Sequence, residues 1–161
     1  MLATSSLVSK NISYKEATHS DTAKRLGISN TPNAEQFSNM IHVAEGVFQP
    51  VREHFNVPIY ISSFFRSEAL NKAIKGSSSS THMKGEAMDL DADVFGRVTN
   101  GAIFHYIKDN LEFDQLIWEF GDDNNPSWVH VSLSKRNNRN QILKAYKVNG
   151  KTKYEIYGQT I

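Results

Sequence analysis

The chain has 161 residues, 39% hydrophobic and 22% charged, a length at which one folding unit buries roughly 70% of its unfolded surface without disulfide, metal or partner. Eighteen basic against seventeen acidic side chains leave a formal charge of +1, which excludes the long-range pull toward nucleic acid or an anionic membrane that a strongly basic protein has. Cysteine is absent, so thiol catalysis, thiolate metal sites and redox switching are excluded, and any metal must sit on histidine and carboxylate.

The opening "MLATSSLVSKNISYKEATHSDTAKRLGISNTP" is polar and weakly patterned, with a short helix expected from a cap at Thr18 or Ser20 through Leu26, ending at Gly27. It carries no signal of basic, apolar and small-residue regions, and no apolar run in the chain reaches the about 18 residues of a membrane span. The protein is therefore expected to be made soluble in the cytoplasm, without membrane insertion, and to need another route to work outside. In "NAEQFSNMIHVAEGVFQPVREHF", Phe37, Met40, Ile41, Ala44, Val47, Phe48, Val51 and Phe55 recur at three and four. That is the period of an amphipathic helix, which Pro50 is expected to bend or split in two.

"VPIYISS", 57–63, is β-rich and reads as the first core strand, and "SEALNKAIKG", 67–76, returns to helical spacing and is expected to close at Gly76. The spacing next predicts a strand over 87–92, a helix over roughly 97–109, and strands in "FDQLIWEF" and "SWVHVSL" separated by the turn-rich "GDDNNP". The tract "SKRNNRN", 134–140, is the most basic patch and reads as a solvated loop. In the tail, Asn149 and Gly150 give the strongest hairpin signal of the chain, for a hairpin at 144–158 that either lines a groove or packs as an edge. Helices first and strands in the centre, without regular βαβ alternation, predict an α+β fold in a single domain over 1–161, with a mainly antiparallel central sheet packed against helices.

The segment "GSSSSTHMKGEAMDLDADVFG", 76–96, is both apolar and charged. A turn fits Lys84 and Gly85, and the strand after it alternates Ala87, Asp89 and Asp91 against Met88, Leu90 and Ala92. Asp89 lies within the apolar stretch, and a buried carboxylate is costly unless paired or bound to a cation. In "SWVHVSL", Trp128, His130 and Ser132 share one face and Val129, Val131 and Leu133 the other, which sets an imidazole beside an indole as in a cleft wall. His82 and His130 offer Asp89 two neutral nitrogens, for either a zinc site with a position open to water or an Asp–His hydrogen-bonded pair without metal. His19, His42, His54 and His105 lie in helical or capping contexts without an acidic partner nearby in sequence, and read as surface or structurally satisfied residues.

"SSTHMKGEAMDLD", a histidine followed by glycine three residues on and then alanine and aspartate, resembles the signature of the M15 zinc peptidases. These are the D-alanyl-D-alanine carboxypeptidases and phage endolysins, whose fold is shared with the hedgehog amino-terminal domain. "ISSFFRSEALNKAI" is similar to the strand, arginine and helix that precede that signature, and "FDQLIWEF" with "SWVHVS" to its closing pair of strands. "YKEATHSDTAKRLGISNTPNAEQ" resembles the leader of small phage-type members, so that the likeness runs from about 12 to 134 in the right order.

The resemblance implies one Zn2+ per chain on His82, Asp89 and His130, and a substrate carboxylate received by Arg66, a job suited to a rigid bidentate fork. Ser80, two residues before His82, is expected either to orient the metal turn or to bind substrate. Gln115, a glutamine within an apolar strand, and Trp128 are expected at the cleft as substrate contacts. Asp91 is either an acceptor behind His82 or His130 or the cap of a surface turn. Many members carry an acidic residue three positions before the second histidine, where this chain has Ser127, which cannot take a proton from water at neutral pH. Glu119, Asp122 and Asp123 are the candidates left for the general base, and Glu119 is preferred, because it closes an apolar strand and resembles the glutamate of the "QLIWE" segment.

The activity implied is zinc-dependent hydrolysis of an amide bond in peptidoglycan stem peptides, by a carboxypeptidase or an endopeptidase. The expected setting is bacterial or phage cell-wall processing, by a monomer that reaches the wall through a route such as a phage pore. The alternative is a non-catalytic, zinc-containing module that binds cell-wall peptide or belongs to a phage particle. Nucleic-acid binding through 134–140 is disfavoured by the near-neutral charge.

Overall fold

The computed structural model describes residues 6–158; residues 1–5 and 159–161, the two ends of the expected domain, lie outside the description. A small antiparallel pair, β1 (Leu7–Ser9) and β2 (Ile12–Ser13), comes first, from a stretch whose polarity does not announce it. Next come α1 (Tyr14–Thr18) and α2 (Asp21–Leu26), capped by Ser13 and Ser20, whose hydroxyls accept from the N–H groups of Glu16 and Ala23. α2 ends as expected, with Gly27 left-handed at φ 67°.

The long amphipathic stretch forms α3 (Ala34–Val43) and α4 (Gln49–Phe55), joined without a break by a π-helical turn over Ala44–Phe48. The irregularity thus falls one turn before Pro50. A proline ring clashes with the carbonyl four residues back and has no N–H to donate. The helix therefore widens ahead of it, the Gln49 N–H bonds the Ala44 carbonyl, and Pro50 sits in the first turn of α4.

Six strands form the main sheet: β3 (Tyr60–Ser63), β4 (Ala87–Asp91), β5 (Gln115–Glu119), β6 (Trp128–Ser132), β7 (Gln141–Val148) and β8 (Lys151–Ile156). Their order is β3-β4-β6-β5-β7-β8, and every neighbouring pair is antiparallel except β5 and β7. The mixed fold with a mainly antiparallel sheet is therefore present. The tail hairpin begins earlier than expected, at Gln141, and turns at Asn149 and Gly150, whose φ values of 51° and 77° give the paired positive geometry that suits Asn-Gly.

Between strands lie α5 (Glu68–Ala73) and α6 (Asn100–Asn110). α5 does not close on Gly76: Lys75 takes the positive φ, 60°, and the Gly76 N–H satisfies the Asn71 carbonyl. Among the described residues, no helix is long and apolar enough to cross a membrane.

Alternation along the strands gives the sheet two unlike faces. Met88, Leu90, Leu116, Trp118, Val129 and Val131 join Met40, Phe48, Phe104 and Ile107 of the helices in one core, none more than 2% exposed. Burying side chains of this size contributes on the order of 2 kcal/mol each. On the opposite face, Asp89, His130, Ile117 and Leu143 form one cross-strand row, and Trp128, Glu119, Ala145 and Tyr154 form the next.

Candidate metal centre

His82 sits in a short 3-10 turn, Thr81–Lys84, capped by Ser80, whose hydroxyl accepts from the His82 N–H at 3.3 Å. Ser80 thus caps the turn that carries His82 and also lines the cleft. α3 braces the turn from behind, Gln36 Nε2 donating to the Met83 carbonyl and Asn39 Nδ2 to that of Lys84. Gly85 ends the turn at φ 76°, and a Cβ there would collide with the Gln36 carbonyl oxygen, so the position needs glycine for conformation and for space.

On the sheet side, His82 Nδ1 lies 2.8 Å from the Phe64 carbonyl oxygen. A carbonyl only accepts, so Nδ1 carries the proton and Nε2 is the nitrogen left for a metal. That Nε2 is 3.3 Å from Asp89 Oδ1, and His130 Nδ1 is 2.9 Å from the same oxygen. Donor atoms of the three residues all lie within 4.8 Å of one another. Burial pushes the Asp89 carboxyl up, but the charge and hydrogen bonds of the two imidazoles outweigh it and hold the group well below the usual carboxylate range. Two imidazole nitrogens and a carboxylate, with one imidazole fixed by a carbonyl behind it, are the donor chemistry of an open zinc site.

Glu119 faces the same cleft from β5, next to the strand that carries His130, and is 8% exposed. Burial pushes its carboxyl up to about 7, His130 pulling it down and Asp89 pushing it further up. The other two base candidates lie elsewhere. Asp122 accepts from the N–H groups of Asn124 and Asn125 and so caps the β5–β6 turn, and Asp123 pairs with Lys144.

Arg66 is half-buried and tied to the metal turn through its backbone N–H, which donates to the His82 carbonyl at 3.2 Å. Its guanidinium donates from Nη1 to Asn71 Oδ1 at 3.0 Å and from Nη2 to Ser63 Oγ at 3.4 Å. Asn71 is 3% exposed and donates in turn to the Ser77 carbonyl, so one buried amide holds both the arginine and the serine loop. Gly76 makes room for this: a Cβ there would collide with the Asn71 amide and come within 3.1 Å of Arg66 Nη1. Burial lowers the Arg66 pKa against the pull of Asp89, from a start so high that the group stays cationic.

These residues line a cleft of about 1440 Å³. Ser80, Gln115 and Trp128 are on its wall. Gln115 Nε2 donates to Gln141 Oε1 at 2.8 Å, and Trp128 packs on Phe120 with ring centroids 5.3 Å apart. Ser132 is not on that wall; it is 1% exposed and accepts from the Gln115 N–H.

Three expectations are corrected. Asp91 does not stand behind either histidine: it ends β4, where the chain turns toward α6, and its Oδ1 accepts from Asn100 Nδ2 at 3.0 Å. His19 does have an acidic neighbour, Asp21, at 3.1 Å on the surface. The 134–140 tract is not only solvated loop, since Arg139 forms a bidentate pair with Asp114 at the cleft rim.

Sequence reasoning missed the bridging amides. Asn30 accepts from the Ser67 N–H and donates to the Thr18 and Phe65 carbonyls, clamping the strand that leads to Arg66. Asn100, fully buried, joins the Ala92 N–H, Asp91, Asp93 and the Pro126 and Ser127 carbonyls.

A family model described as Peptidase M15 matches residues 10–132, a span that ends with β6. No curated protein matches the chain.

Proposed function

The chain belongs to the peptidase M15 family, and on that premise we propose that it hydrolyses an amide bond in peptidoglycan stem peptides with one zinc ion per chain. The fold is then of the D-alanyl-D-alanine peptidase and hedgehog type. The observation that carries the reading is the convergence of His82 Nε2, Asp89 Oδ1 and His130 Nδ1 at one point of a cleft that also holds Arg66 and Glu119.

The metal would be held by His82, Asp89 and His130, and when bound it supplies Lewis acidity to the attacking water and the amide carbonyl. Glu119 takes a proton from that water as its oxygen bonds the carbonyl carbon, and returns it to the amide nitrogen as the C–N bond breaks. In the metal-free protein burial pushes this carboxyl up to about 7, and a group poised near neutral pH suits both the taking and the return of a proton. Arg66, held by Asn71 and Ser63, binds a substrate carboxylate. Trp128 and Gln115 offer contact surface along the cleft. The setting is cell-wall processing, by a bacterial or phage monomer released from the cytoplasm.

The test is mass spectrometry of purified peptidoglycan fragments incubated with zinc-loaded protein. The parent should release new fragments. His82→Ala should lose zinc and hydrolysis together, and Glu119→Gln should keep zinc and lose about 100-fold in turnover, the scale of general acid–base help. Full turnover in Glu119→Gln would remove that residue from the mechanism.

Ser127 favours a second reading, a zinc module that binds wall peptide without cutting it, because many M15 peptidases carry an acid at that position. The two differ in turnover and not in metal content, so unchanged fragments beside stoichiometric zinc would select the binding module.

A further inference from the structure

The match to the family ends at residue 132, and the cleft does not. The β7–β8 hairpin beyond it adds Leu143, Lys147, Thr152 and Tyr154 to the lining. Strand register explains how. Glu119 pairs with Ala145, and Ala145 with Tyr154, so the phenol stands two strands from Glu119 on the same face, with only a buried methyl between. Tyr154 is 56% exposed, its ring open to whatever occupies the cleft. Burial and then the Glu119 and Asp89 carboxylates push its pKa up, which keeps the hydroxyl a neutral donor.

The cleft also extends past the Asp89–His130 row in both directions along the strands. Lys84, Glu86 and the Asp114–Arg139 pair lie toward one end, Phe120 and Lys147 toward the other. A site that clips a terminal residue needs walls that stop just past the reacting bond. This lining instead continues on each side, as a chain lying across the centre requires.

Resting on the peptidase reading above, we propose that Tyr154 is a further substrate-contacting residue. Its hydroxyl donates to a backbone carbonyl of a peptide that lies along the groove on both sides of the metal row, so that the bond cut is an internal amide.

The experiment uses the full chain loaded with zinc and three probes: D-alanyl-D-alanine, uncross-linked stem peptides, and cross-linked stem-peptide dimers. Products are read by mass, and binding is read by calorimetry in the Glu119→Gln background. Expected are masses from an internal bond, tighter binding of stem peptides than of the dipeptide, and a Tyr154→Phe variant with unchanged zinc content. That variant should lose about fivefold to tenfold in kcat/KM and in peptide affinity, the scale of one hydrogen bond. Release of a terminal residue alone overturns the proposal, as does a Tyr154→Phe variant within about twofold of its parent in both readouts. If the parent hydrolyses no probe, the peptidase reading fails. The binding arm then decides the groove by itself: a dipeptide that binds as well as the stem peptides, or binding indifferent to Tyr154→Phe, overturns it.

Discussion

The two faces of β4, β5 and β6 differ in what holds them together. On the helix side, Leu90, Leu116, Trp118 and Val129 are buried in apolar contact and need no partner of specified geometry. On the cleft side, Asp89, His130 and Glu119 are also largely buried, yet each carries a polar group that must find a partner, and two of them find each other at 2.9 Å. One ladder of backbone hydrogen bonds supports both. Because side chains alternate, a change on either face leaves the other nearly in place, and stability and chemistry become separable by position.

The separation can be broken most heavily from the core side. Leu116→Ala, at a position with no exposure, should cost about 2 to 5 kcal/mol in urea unfolding while the folded fraction binds the same zinc per chain. Loss of stoichiometry in the folded protein would mean that the two faces are coupled.

On the cleft side the prediction concerns pH. Glu119 has its carboxyl pushed up from 4.5 to about 7, so the folded state holds this proton more tightly than the unfolded one. Metal-free protein should therefore have this contribution in full below pH 4.5 and lose it as pH rises through about 7. The loss is on the order of 3 kcal/mol at most. Glu119→Gln removes the titration, so the stability of the parent minus that of the variant, measured by denaturant at several pH values, should fall across that window. A flat difference would mean that the carboxyl is hydrated.

The smallest effect belongs to the support of Arg66. Asn71→Ala should raise KM for a carboxylate-bearing peptide by about tenfold, the scale of a hydrogen bond to a charged group, with zinc content unchanged. Asn71→Asp, which keeps the acceptor, should recover part of it. Equal KM values in parent and alanine variant would show that the guanidinium orients itself without the amide.

What could be read before the fold was known follows the same division. Asp89 and His130 were legible because a polar residue in a period-two apolar strand declares which face it is on, and Glu119 because it closes such a strand. The Asn-Gly turn declared its hairpin. The pairing of β7 with β5 was not legible, since the alternation in "QILKAYKV" says which side chains share a face and nothing about which strand lies alongside. Asn30, Asn71 and Asn100 were hidden for a related reason: a single amide bridging segments 37 residues apart, as Asn30 does with Ser67, has no local period. Asp91 was left between two roles because alternation places it on the face of Asp89, at the end of β4, and says nothing of its partner Asn100.

The parallel pairing of β7 with β5 also places the tail last along the chain. β7 docks on the side of β5 away from β6, and it follows every element that carries the His82, Asp89 and His130 cluster. As the protein leaves the ribosome, His82, Asp89 and His130 emerge before any of the hairpin does. A nascent chain of this design exposes its His-Asp-His row first and the Tyr154 wall of its cleft last.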